Sequence, residues 1–157
     1  MTEGVPVALL TPVPIDHLVD GVEVCRREGK VAYGSQAWET FRRFEDLGGV
    51  GAPVLVYASH NAEHLGPTVS WLGYYLDYVE SRRGAHPDRV RFRPPSCKEE
   101  DGTGYWAGFY ELRDLAQLDP EARIDIRTLR SLEGKPYAAG FVPEGPTIIT
   151  RPAGLAR

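Results

Sequence analysis

Cysteine, lysine, net positive charge and long apolar runs are all scarce in this chain, and each scarcity argues against a class of protein. Only two of 157 residues are cysteine, Cys25 and Cys97. They lie far apart and outside any metal-ligand spacing, so buried thiols are expected rather than a disulfide scaffold or a zinc ribbon. The formal net charge is −4, so no chain-wide basic field exists, and any contact with nucleic acid has to come from a local patch. No apolar stretch approaches the roughly 20 residues that cross a bilayer, so no membrane partner is expected. The start, "MTEGVPVALLTPVP", places Glu3 where a secretory signal needs positive charge, and its apolar run is short; a cytoplasmic location is the expectation. The chain also lacks a nucleophile elbow, a CxxC pair and a phosphate loop, since "GKPY" at 134–137 has no upstream glycine in register. No cofactor is implied. Without a repeat, a low-complexity run or a linker, residues 1–157 read as one domain, long enough to bury a sizeable core.

What the chain does contain is turn chemistry, with 17 glycines and 13 prolines, in the measure expected of a strand-rich fold rather than of disorder. "VPVALL" reads as a short buried strand ended by the turn "TPVP". "IDHLVDGVEVCRREG" carries Ile15, Leu18, Val19, Val22 and Cys25 at helical spacing and closes on Gly29, although Gly21 sits awkwardly in its middle. "KVAY" reads as a strand. Ser35 is placed to cap a helix over "QAWETFRRFEDLGG", in which Trp38, Phe41 and Phe44 recur three apart. "PVLVYAS", "TVSWLGYYLDYVES", "YWAGFYELRDL" and "FVPEGPTIIT" read as strands. "RVRFR" alternates, which predicts a strand showing Arg89, Arg91 and Arg93 on one face. "PPSCKEEDGTG" reads as a loop, and "IRTLRSL" as one or two helical turns. The order β–α–β–α followed by strands predicts an α+β domain: a curled, mostly antiparallel sheet or small β-barrel with two or three helices.

The stretch "YGSQAWETFRRF", Tyr33 to Phe44, poses the functional question. A large aromatic enters the mouth of a helix beside Gly34, Ser35 and Gln36. Either it is a core contact, or it walls a pocket for something flat.

The order of elements around that stretch resembles the EVE-domain branch of the PUA-like superfamily, whose cousins include the YTH and ASCH domains. In that family a glycine and a small polar residue lead into a helix that ends just before a strand of the form G-D-x-V-x-x-Y-x-S. Here "YGSQAWETFRRF" precedes "LGGVGAPVLVYAS". A strand such as "TVSWLGYYLDYV", a proline-rich loop and a strand opening on Trp then follow in "RFRPPSCKEEDGTGYWAGFYEL". The likeness spans most of residues 7–149. It implies a binding module for a modified nucleobase in DNA or RNA, in which a base leaves its strand and slots between aromatic rings. Stacking then supplies affinity, and hydrogen bonds to the base edge supply discrimination. By that resemblance the ligand site takes Tyr33, Gly34, Ser35, Gln36 and Trp38. Ser59 and His60 stand at a pocket mouth, Trp71 and Trp106 are further cage walls, and Arg42, Arg43, Arg91 and Arg93 contact phosphates. Each ring is also a candidate for core packing, Trp71 above all, and the Arg89–Arg93 face for a solvated strand edge.

Three other classes compete. His60, Glu63 and His64 spell H-x-x-E-H, a zinc-hydrolase order, but the motif follows a strand directly and is cut off by Gly66–Pro67. The ASCH likeness implies an amidohydrolase acting on modified nucleosides, built on a Lys, a Thr and a Glu. With only Lys30, Lys98 and Lys135 to choose from, Lys30, Glu39 and Thr40 are the cluster at hand. Finally, Tyr74, Tyr75 and Tyr78 in "WLGYYLDY" suit a protein-interaction face without a small ligand.

Overall fold

The computed structural model of the protein describes residues 6–61, 67–98, 101, 104–138 and 140–155. In chain order the elements are β1 (Val7–Pro14), α1 (Ile15–Glu28), β2 (Val31–Ser35), α2 (Trp38–Asp46), β3 (Pro53–Ser59), β4 (Thr68–Glu80), β5 (Gly108–Gln117), β6 (Ile124–Asp125) and β7 (Thr147–Thr150), with short 3-10 turns between some of them. The strands form one curled sheet in the order β2-β5-β4-β3-β1-β7, and β6 adds to β4. The α+β class expected from the sequence is what the structure shows, as an open sheet rather than a closed barrel. All pairings are antiparallel except β1 with β3. That parallel pair requires a long crossover, which α1, β2 and α2 supply.

β1 and β3 are buried almost throughout because the sheet is covered on both faces. On one face Leu9, Val13, Val54 and Val56 meet Leu18 and Val24 of α1 and Phe41 and Phe44 of α2. On the other, Ala8, Leu10 and Leu55 lie under Ile126, Leu129 and Ile149. Phe41 is the hub of the aromatic core. Its ring stacks on Tyr78 at 4.8 Å, on Tyr110 at 5.0 Å and on Tyr75 at 6.0 Å.

Gly21 has a structural reason. A β-carbon there would lie 2.0 Å from the Tyr33 hydroxyl, which passes the helix to donate a 2.9 Å hydrogen bond to the His17 carbonyl. Helix propensity alone makes Gly21→Ala stabilising by about 1 kcal/mol. The expected result is the opposite sign, a loss of about 1–3 kcal/mol from overpacking. In a Tyr33→Phe background the clashing oxygen is gone and the loss should shrink markedly, as urea unfolding of the double-mutant cycle would show.

Several sequence expectations are corrected. "TPVP" is not a turn: β1 runs on through Pro14, paired to β3 as far as Ser59. The prolines are tolerated because β7 pairs with β1 only as far as Leu10, leaving one edge of residues 11–14 without a strand neighbour among the described residues. Ser35 is not a helix cap. It ends β2, and its hydroxyl accepts from the Ala37 N–H at 3.1 Å, one residue ahead of α2. "RVRFR" is not a strand but a series of turns. Arg89 N–H donates to His86 O and Arg91 N–H to Asp88 O, and Arg89 has a left-handed φ of 60°. Its alternation is broken in space, because Phe92 and Arg93 are buried side by side while Val90 is exposed. "IRTLRSL" contains one 3-10 turn, Ile126–Thr128.

Candidate functional site

Two edges of the curled sheet face each other without joining: β2 on one side, and β1 beyond its last β7 pair on the other. The seam between them is a cleft of about 300 Å³ lined by Thr11 and Pro12 of β1, Gly34 and Ser35 of β2, Gln36, Ala37, Trp106, Tyr110 and residues 144–146. That is the lower end of the range for small-molecule sites, roughly 300–1,000 Å³.

Trp106 lies across the backbone of Gly34. A β-carbon on Gly34 would sit 2.4 Å from two atoms of the indole and 2.5 Å from a third, so only glycine permits the ring to rest there. Gln36 holds that ring in place. Its side-chain N–H donates to Tyr105 O at 2.8 Å, and its side-chain oxygen accepts from the Ala107 N–H. The carboxamide thus pairs with the chain on both sides of Trp106, as a neighbouring strand would. From the far side, the backbone N–H of Trp106 donates to Gly84 O at 3.2 Å. Gln36 is therefore a positioning residue, already engaged, rather than a free edge reader.

The polar groups left at the cleft come from β2 itself. Ala32 turns its N–H to Phe92 O and its carbonyl to the Arg93 guanidinium, both away from β5. With a strand period of two, the N–H and C=O of Gly34 also point away from β5, on the edge that lines the cleft. Behind them, Tyr110 is buried and shares a hydrogen bond with Thr11. Burial pushes its phenol above the ordinary range, so it stays neutral. Among the described residues, Glu144 is the single ionisable carboxylate of the lining, and no lysine or arginine joins it. The interior therefore favours a neutral or hydrogen-donating ligand over a phosphate.

The other sequence candidates are distributed as follows. Tyr33 is 3% exposed, within the core. Trp71 is 4% exposed and lines none of the clefts described. Trp38 is 48% exposed and belongs to a second cleft, with Arg42, Glu45, Asp46 and Tyr78. Residues three apart drift about 60° around a helix, so Phe41 and Phe44 take the buried face and Trp38 falls to its margin. Ser59 is half-buried, and His60 is exposed with a left-handed φ of 54°; neither lines the seam. Arg93 is 3% exposed, bonded to Asp101 and to the Ala32 carbonyl. Arg91 pairs with Glu28, and Arg43 is exposed beside a third cleft.

Sequence reasoning missed Arg82 and Arg83. Both are exposed on the turn whose Gly84 carbonyl receives the Trp106 backbone N–H. The turn is recognisable only in space, because "ESRRGAH" reads as an ordinary charged loop.

For the competing chemistries, Glu63 and His64 lie outside the described residues. Among the described residues no group of three His, Cys, Asp or Glu side chains is gathered to hold a metal ion. Lys30 is bonded to the buried Glu111 at 2.9 Å, whose other oxygen meets His86 at 2.9 Å. His86 accepts the Asp88 N–H on Nδ1, so Nε2 carries the proton toward Glu111. These contacts pull Glu111 below the usual carboxylate range against the opposing effect of burial. Thr40 lines the third cleft, with Arg43, and Glu39 is exposed on α2. Tyr75 and Tyr78 are engaged in the core stack, and Tyr74 lies under Arg113 at 4.8 Å. Among the described residues no helix is long and apolar enough to cross a membrane.

Comparison with known proteins gives no matching family model and no match among curated proteins. Two solved structures are similar in part. One is protein PSPTO5229 from Pseudomonas syringae, 12% identical over 72% of this chain and 70% of its own, with a TM-score of 0.43. The other is a hypothetical protein from Leishmania major, 15% identical over 86% of this chain and 88% of its own, also with a TM-score of 0.43. Both are named without an activity.

Proposed function

We propose that the seam cleft binds one flat heterocycle, a modified nucleobase presented by a DNA or RNA strand. The observation that carries this reading is the Trp106 indole laid against the Gly34 backbone at the open edge of the sheet. A base entering the seam stacks on the ring, while the edge groups of Gly34 meet its polar rim. Glu144 accepts from an exocyclic amine. The sugar and phosphate stay outside, where Arg82 and Arg83 on the adjoining turn supply the positive charge that the chain as a whole lacks.

Titration with short oligonucleotides carrying methylated adenine or C5-modified cytosine, at low salt and followed by tryptophan emission, tests this. A modified base is expected to bind more tightly than its plain parent. Trp106→Ala should weaken it about 5- to 150-fold, the loss of one stacked base at roughly 1–3 kcal/mol. Equal affinity for modified and plain strands, or an unaffected Trp106→Ala variant, overturns the assignment.

A further inference from the structure

The second cleft has a different chemistry. It is about 590 Å³, lies between α2 and the end of β4, and is lined by Trp38, Arg42, Glu45, Asp46, Tyr78, Glu80, Ser81 and Ala107. Three carboxylates face one guanidinium, so phosphate is disfavoured there. Trp38 offers a half-exposed indole as one wall. Tyr78 closes the floor of the cleft without offering a free face, because its ring is stacked on Phe41 at 4.8 Å and its hydroxyl is tied back to Ser35 O at 2.9 Å. Glu45 is fixed too, because the buried Tyr75 phenol donates to its carboxylate at 2.6 Å. The cleft thus presents a flat ring and anchored negative charge to its contents before any ligand arrives.

The protein already samples the complementary interaction. The Arg42 guanidinium sits 5.7 Å from the centre of the Trp38 ring, near the roughly 6 Å limit at which the quadrupole of an indole attracts a cation. Arg42 is exposed, so the ring holds its own cation only loosely. A free cation with more complete contact competes with it. The negative field has an independent sign: burial first, and then the charge of Glu80, push the Tyr78 phenol up to about 12.

We infer that this cleft binds an alkylated ammonium group, with Trp38 as the ring wall, Glu45, Asp46 and Glu80 as counter-charge, and Arg42 as an internal competitor. Such a head group weakly retains its water, and its methyl groups pack on rings while its charge meets carboxylates. It arrives either on a small choline-like molecule or on a methylated lysine side chain. The inference stands independently of the seam cleft, since Trp38 and Trp106 lie in separate sites.

The test is titration of the full chain with choline, with its neutral isostere 3,3-dimethylbutanol and with a short trimethyl-lysine peptide, read at the indole N–H resonance of Trp38. Choline is expected to shift that resonance saturably, with the neutral isostere at least about tenfold weaker. Followed by calorimetry, which needs no indole signal, Trp38→Ala should abolish choline binding, and Glu80→Gln should weaken it. The distinguishing variant is Arg42→Ala, which should tighten choline binding about two- to fivefold by removing the internal cation. A peptide that binds more tightly than choline identifies the side-chain source, and one that binds no better identifies the small molecule. Equal binding of the neutral isostere, or weaker choline binding in Arg42→Ala, overturns the inference.

Discussion

A Gly34→Ala variant is expected to lose about 1–3 kcal/mol of stability and all measurable heterocycle binding. The added β-carbon would fall 2.4–2.5 Å from three indole atoms of Trp106, where van der Waals contact needs about 3.5 Å or more. A flexible side-chain tip could swing aside, but these atoms sit at the base of a rigid bicycle. The backbone carrying it is fastened at Tyr105 and Ala107 by Gln36 and at Trp106 by Gly84. Either the ring leaves the seam or the fastening opens, and both outcomes dismantle the stacking wall. Urea unfolding gives the stability loss, and a red shift in tryptophan emission reports the expelled ring. The double variant Gly34→Ala, Trp106→Ala removes the clash, so it should recover much of the stability while still failing to bind. A Gly34→Ala protein with parental stability and unshifted emission sinks the geometry on which the seam site depends.

That arrangement shows what a sequence can and cannot disclose. "YGSQAWETFRRF" announced a glycine, small polar residues and an aromatic in close company, and Gly34, Ser35 and Gln36 do line one cleft. The ring that joins them there, however, is Trp106, some seventy residues downstream, because β2 pairs with the start of β5. Trp38 faces elsewhere because two phenylalanines of greater burial claim the inner side of α2. Long, strongly patterned elements such as α1, β3 and β4 were legible, since local periodicity reflects burial on one or both faces. "RVRFR" misled because alternation in letters matched no alternation in space. There the chain coils through tight turns, and Arg93 is drawn inward by Asp101 and a strand carbonyl. The role of Gln36 was likewise invisible, since its partners are backbone groups that carry no signature in the sequence.

Above about pH 10 the protein is expected to unfold cooperatively, because its aromatic core contains phenols that cannot ionise in place. Tyr33, Tyr75 and Tyr110 are at most 3% exposed. Burial drives each of them above the ordinary range, and for Tyr75 the hydrogen bond to Glu45 adds to the effect. The sign follows from linkage. A phenol whose folded value exceeds its unfolded value of about 10 contributes stability that is intact below that pH and is lost as pH rises toward the folded value. Each such phenol removes about 1.36 kcal/mol per pH unit, so three together remove about 4. Against a total of about 5–15 kcal/mol, folding is exhausted within roughly one to four units. Tyr78, held up to about 12 by burial and by Glu80, steepens the first part of that decline. Following phenolate absorption and far-ultraviolet circular dichroism on one sample should show part of the absorbance of the eight tyrosines rising only as the dichroism collapses. Tyr33→Phe should make the decline shallower by about one proton. Complete phenolate formation with the dichroism intact would mean that these rings reach solvent. Tyr110 behind the seam and Tyr78 beneath the cation cleft would then no longer be fixed, and both sites would lose the rigidity on which their selectivity rests.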